Sequence, residues 1–264
     1  MKIWKNMKYL SVLFAGIIIY ITVSAGIAGD SGSKGVNVKQ TDASLFDYNK
    51  YVYIDTDAVA KECGAAMEES EAFGQKFTHT KWDGEVLRKV LKKIEPKLHG
   101  DKAVAIMGHP PNWVLAALAC AAEPNESYVF SSDPNFPRGA PYSQIAKPGL
   151  GKFNPEGHVT IVFERDLDPK RKFGNFVVVS DKGDFEDFPS TDTVKIGLPN
   201  PPIEDADIFL FGWSPIHVAA TVARAYKDHC NSLWMKYHEE PVYTCVWSNS
   251  PEIKVGDRTA AAPR

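Results

Sequence analysis

The sequence predicts a protein of the α/β class, an α+β sandwich built from two diverged repeats that follow an N-terminal apolar segment. Three observations carry this. Runs of β-branched and aromatic residues alternate with amphipathic or alanine-rich stretches, the pattern of strands joined by helical crossovers. One strand-turn-helix passage occurs twice, as "AVAIMGHPPNWVLAALACAA" and as "DIFLFGWSPIHVAATVARA". With 44% hydrophobic and 24% charged residues among 264, the composition is that of a globular chain able to form a substantial core.

Residues 1–28 form the targeting segment. Lys2, Lys5 and Lys8 precede an apolar run, and small residues then lead into "DSGSKG". These features read as a secretory signal cleaved after Ala25 or Ala28. The run from Tyr9 to Ile27, about 19 residues, also approaches the ~20 that span a bilayer, so an uncleaved anchor through residues 9–28 is the alternative. The folded part is expected to be exported to a periplasmic or extracellular space or anchored at the membrane, a cytosolic protein being the remaining alternative. Residues 29–42 are small and polar, a linker.

The folded part divides into repeat 1 (43–150) and repeat 2 (151–257), with 258–264 as a flexible tail. In repeat 1, "YNKYVYIDTD" reads as a strand. "DGEVLRKVLKKIEPKL" reads as an amphipathic helix, with Val86, Leu87, Val90, Leu91 and Ile94 at helical spacing. "AVAIM" is a short buried strand, followed by the turn, the alanine-rich helix and the strand "SYVFSSDP". In repeat 2, "TIVFE" corresponds to "YVYID". "NFVVVS" and "TVKIGL" are expected to form a hairpin, and "PNPPIEDAD" is too rich in proline for regular structure. At one constant offset Gly108 pairs with Gly212, Pro111 with Pro215, Val114 with Val218, Ala116 with Ala220, Ala119 with Ala223 and Ala121 with Ala225. The next strands correspond as "YVFSSDP" and "TCVWSNSP".

Charge narrows the function classes. A net charge of −3 and a pI near 6.2 provide no global basic field, which excludes general DNA binding and confines any phosphate contact to a local site. The basic run "DPKRKFGN" reads as a solvated hairpin end and the acidic run "SDKGDFEDFPSTD" as a solvated loop without calcium-loop spacing. Cys63, Cys120, Cys230 and Cys245 show no zinc spacing; Cys120 and Cys245 read as buried, and Cys230 with Cys245 is a candidate disulfide. No Gly-x-Ser-x-Gly or His-Glu-x-x-His pattern is present.

Residues 83–138 resemble the small CRISPR-associated ring nucleases and RNA exonucleases of ferredoxin-like fold, with a fainter second copy at 207–251. The resemblance is carried by "VLRKVLKKIEP", "AVAIMGHPPNW" and "SYVFSSDP", in which Gly108, Pro111, Trp113, Asp133 and Pro134 match and His109 replaces an arginine. It implies ferredoxin-like repeats and divalent-metal-dependent, manganese-type cleavage of phosphodiester bonds in cyclic oligoadenylate or short RNA. The family's His before the Asp has no counterpart in repeat 1. In repeat 2, His229 and His238 lie in the corresponding connection, while Ser250 stands opposite Asp133.

The candidate catalytic residues are therefore Asp133, His238 and His109, and the candidate metal ligands Asp133, His229 and His238, since imidazole and carboxylate together suit manganese or zinc. Gly108, Pro111, Trp113, Gly212, Ser214 and His217 line the two corners as candidate ligand contacts, where backbone N–H groups at helix starts can hold an anion. The same corners also arise from chain reversal alone, and His217, opposite Trp113, equally reads as a packing residue. A non-catalytic binding or structural module is the alternative function.

Overall fold

The computed structural model describes residues 49–72, 75–98, 100–123, 125–130, 141–145, 147, 149–151, 159–163, 170–178, 196–201, 204–212, 214, 216–236 and 242–260. The apolar segment 1–28, the linker, the acidic run 180–192 and the C-terminal residues 261–264 lie outside them.

The chain is mixed α/β. The elements are β1 (Tyr51–Asp55), α1 (Thr56–Glu62), the hairpin β2 (Met67–Ala72) and β3 (Gln75–Thr80), α2 (Gly84–Leu98), β4 (Ala103–Met107), α3 (Asn112–Ala121), β5 (Ser127–Phe130) and β6 (Pro141–Ile145). There follow β7 (Val159–Phe163), β8 (Arg171–Val178), β9 (Ile196–Gly197), β10 (Asp207–Gly212), α4 (Ile216–Tyr226), a 3₁₀ turn (Lys227–His229), β11 (Ser232–Lys236), β12 (Val242–Ser248) and β13 (Arg258–Ala260).

Local chemistry sets the helix starts. Asp55 caps α1 by accepting from the Ala58 N–H at 3.0 Å, and Asp83 caps α2 by accepting from the Val86 N–H at 2.8 Å. The apolar stripe of α2 buries Val86, Leu87, Val90, Ile94 and Leu98. Its opposite face is solvated and carries ion pairs such as Lys89 with Glu85 at 2.6 Å, one turn apart.

The first sheet has the order β1-β4-β5-β6 and the second β13-β12-β11-β10-β8-β7-β9. In the first, β1, β4 and β5 are parallel and β6 is antiparallel to β5. In the second, β8, β10 and β11 are parallel and β12 is antiparallel to β11. These parallel strands are immediate neighbours, whereas a ferredoxin-like unit is a split βαβ with another strand between its parallel pair.

The pairing revises four readings of the sequence. Topologically β8, not β7 ("TIVFE"), runs as β1 does, and β11 and β12 run as β5 and β6 do. "NFVVVS" and "TVKIGL" do not pair with each other; β8 and β9 flank β7 on opposite sides. The basic run begins at the β7–β8 connection, where Lys170 is exposed, but most of it lies within β8, between β10 and β7, with Lys172 buried, so only its start is a solvated hairpin end. Strand partners are chosen across the sheet, so local composition alone does not determine them.

Between the sheets lies a layer of helices. One core joins Ile54, Val104, Ile106 and Ile145 of the first sheet with Ile208, Leu210, Leu233 and Val246 of the second, through α2, α3 and α4. Helices α3 and α4 pack on each other, α3 also against β12 and α4 also against β6. A helix covered on every side must be apolar all round, and small residues let its neighbours approach closely. This accounts for "LAALACAA" and "VAATVARA", whose residues are buried almost without exception. On the outer sheet faces, Tyr51 meets Tyr53 and Tyr128 edge to face, and Phe209 stacks on Trp234 at 5.6 Å.

Candidate functional site

The parallel strands of each sheet end at a common edge. Asp55, Met107 and Phe130 end β1, β4 and β5 on one side; Gly212 and Lys236 end β10 and β11 on the other. The two corners join there: the Asn112 side chain, at the start of α3, donates from Nδ2 to the Ser214 carbonyl at 3.4 Å, just ahead of α4. In open α/β sheets the crevice beyond the carboxyl ends of the strands is where ligands bind.

Gly108 and Gly212 turn the chain at φ +98° and +118°, values that favour glycine. Gly108 is also crowded. A Cβ there would lie 2.9 Å from Asp57 Oδ2 and would overlap Thr56 Oγ1. Thr56 is fixed by donating to the Met107 carbonyl at 2.8 Å. Asp57, in the first turn of α1, accepts from Thr80 Oγ1 at 2.7 Å and from the His109 backbone N–H at 3.3 Å. Pro111 precedes α3 with φ −59°, and its carbonyl accepts from the Val114 and Leu115 N–H groups.

The candidate residues divide by position. His109 is exposed at the edge, and Gly108, Pro111, Gly212 and Ser214 form the corners. Trp113 and His217 belong to the core, with 5% and 1% of their surface exposed. Burial pulls the His217 imidazole down to about 4, so it is neutral at physiological pH. His229 lies past the other end of α4, which rises about 16 Å over its 11 residues, and the structure does not bring it to the edge. Asp133 and His238 lie outside the described residues; in sequence they closely follow β5 and β11, which end at this edge. Among the described residues no group of three or more His, Cys, Asp or Glu gathers as a metal site.

Sequence reasoning missed Asp57, Thr56, Thr80 and Asn112. The signal for Asp57 was "IDTDAV", a carboxylate just after a buried strand, but its meaning depends on β1 lying beside β4.

The opposite end of the helical layer carries a charge cluster. Lys227 pairs with Glu123 at 2.7 Å and lies 4.5 Å from the centre of the Trp247 ring. Arg224 donates to the carbonyls of Ile145 and Asn125 at 2.9 and 3.1 Å. Partial burial works against ionisation of Asp228, but Lys147 and Lys227 hold its carboxyl below the usual range. All four cysteines are free thiols, so Cys230 and Cys245 are not bridged.

No family model matches the chain, and no curated protein matches it. Among the described residues no helix is long and apolar enough to cross a membrane.

Proposed function

We propose that this chain binds a small oligonucleotide, a cyclic oligoadenylate or an RNA end, at the edge where the two corners meet, and acts there as a ring-nuclease-like phosphodiesterase. The observation that supports a ligand site at this edge is the contact between Asn112 and Ser214, which joins the carboxyl ends of both sets of parallel strands at one place; the substrate class and the reaction rest on the resemblance of residues 83–138 to the ring nucleases. The shared run of strand directions supports reading 43–150 and 151–257 as diverged copies of one unit. A divalent ion, manganese in the first instance, would be held by Asp133 and His238 and would supply Lewis acidity to a scissile phosphate. His109 is the candidate acid or base at the edge. The protein is read as exported or held at the membrane through residues 9–28, which cell fractionation with N-terminal sequencing tests.

The test is turnover of cyclic oligoadenylate with manganese by the full-length protein in detergent micelles. Asp133→Ala and His238→Ala are expected to abolish turnover and His229→Ala to leave it intact. Equal turnover in all four proteins, or none in any, overturns the catalytic reading. A non-catalytic binding module is the second reading. It is favoured by the burial of Trp113 and His217, where the corners differ from each other, and it predicts oligonucleotide binding without cleavage.

A further inference from the structure

The first corner already holds an anion of the protein's own. Asp57 lies over Gly108, its Oδ2 accepting from the His109 N–H and its Oδ1 from Thr80 Oγ1. Three stretches distant in sequence meet on this carboxylate: the first turn of α1, the end of β3 and the turn between β4 and α3. Its seat is shaped for it, since any side chain at Gly108 would displace both Asp57 and Thr56. A carboxylate oxygen on a backbone N–H is the arrangement a bound phosphate oxygen would adopt at such a turn.

We infer that Asp57 determines the specificity of this edge by occupying the His109 amide itself. With that amide filled and a fixed negative charge beside it, the first corner turns phosphate away and accepts the neutral hydroxyl or amino groups of a ligand. This rests on the reading of the edge as a ligand site and specifies which part of an oligonucleotide faces Asp57: sugar hydroxyls or base amines.

The test follows the ¹⁵N-labelled His109 amide of the full-length protein in detergent micelles during titration with inorganic phosphate. In the parent the amide is expected not to respond. In Asp57→Ser it responds, and phosphate binds at least about tenfold more tightly, the scale of one charge-assisted hydrogen bond. Asp57→Asn, of the same shape without the charge, falls between. Thr80→Val retains the carboxylate and behaves as the parent. Circular dichroism checks each fold, and if Asp57→Ser unfolds, Asp57→Asn carries the comparison. An equal response in parent and variants, or none in any of them, overturns the inference. Cyclic oligoadenylate binding by the parent is measured alongside: its absence defeats the ligand reading, whereas the phosphate comparison decides the role of Asp57.

Discussion

Gly84 and Gly256 meet backbone to backbone: a Cβ on Gly256 would lie 2.6 Å from the carbonyl oxygen of Gly84, and one on Gly84 would overlap the carbonyl of Gly256. The contact seats the start of α2 on the turn before β13, where Arg88 also reaches the Val255 carbonyl and Asp257 at 3.3 Å. Backbone cannot swing aside as a side chain can. Gly84→Ala is therefore expected to destabilise the protein by about 2 kcal/mol, the usual scale of overpacking. Arg88→Ala, which removes an exposed pair, should cost well under about 1 kcal/mol. Urea denaturation of both variants checks the order; equal midpoints would refute it.

His217 makes stability depend on pH. Its folded value of about 4 lies below the ordinary 6.5, so between these values the unfolded chain takes up a proton that the folded chain refuses. The stabilisation from neutral His217 is complete above pH 6.5, falls as the pH drops towards 4, and is constant below that. The full loss is about 3 kcal/mol. Denaturation midpoints of the parent and His217→Phe at pH 7 and pH 4.5 test this: the gap between them should shift in favour of the variant at the lower pH.

The ion pair of Lys227 and Glu123 is nearly enclosed, each side chain 11% exposed. Lys227→Met strands the Glu123 carboxylate with Lys147 as its remaining partner. The expected cost is about 2 kcal/mol, below the ~3–5 of a fully orphaned buried charge. Lys227→Met combined with Glu123→Gln should recover part of that loss. A double-mutant cycle by thermal unfolding checks it, and strict additivity would mean that the pair is uncoupled.

The thiols should separate by reactivity. Burial pushes Cys120 and Cys245 up to about 12 and raises Cys230 as well, so little thiolate is available at neutral pH. Cys63 is partly exposed. Native-state alkylation followed by mass spectrometry should label Cys63 first and the other three only on unfolding. Early labelling of Cys120 would contradict its placement in α3.

The amphipathic stripe of α2, the strands β1 and β4, and the glycine corners were legible because each is written in a few consecutive residues. The mixed α/β class follows from their alternation. The short helix α1 depends on the single cap Asp55, and the hairpin strand "MEESEA" has almost no β-branched character, so neither announces itself. Strand partners were misread because β11, "SLWMK", is a short segment whose role is set by lying parallel to β10. At the site, the glycines were visible and Asp57 was not. A carboxylate that acts on a turn some fifty residues away leaves no local pattern.

The helical layer also sets an expectation for the timing of folding. Helix α3 is covered by α4 and β12, elements that the ribosome makes much later, so the first half of the chain has no complete surface on which to close. Such long-range contacts favour slow folding. A nascent chain that stops before Val242 lacks β12 and leaves one face of its alanine-rich helix uncovered, and the arrival of that strand closes the face much as a keystone closes an arch.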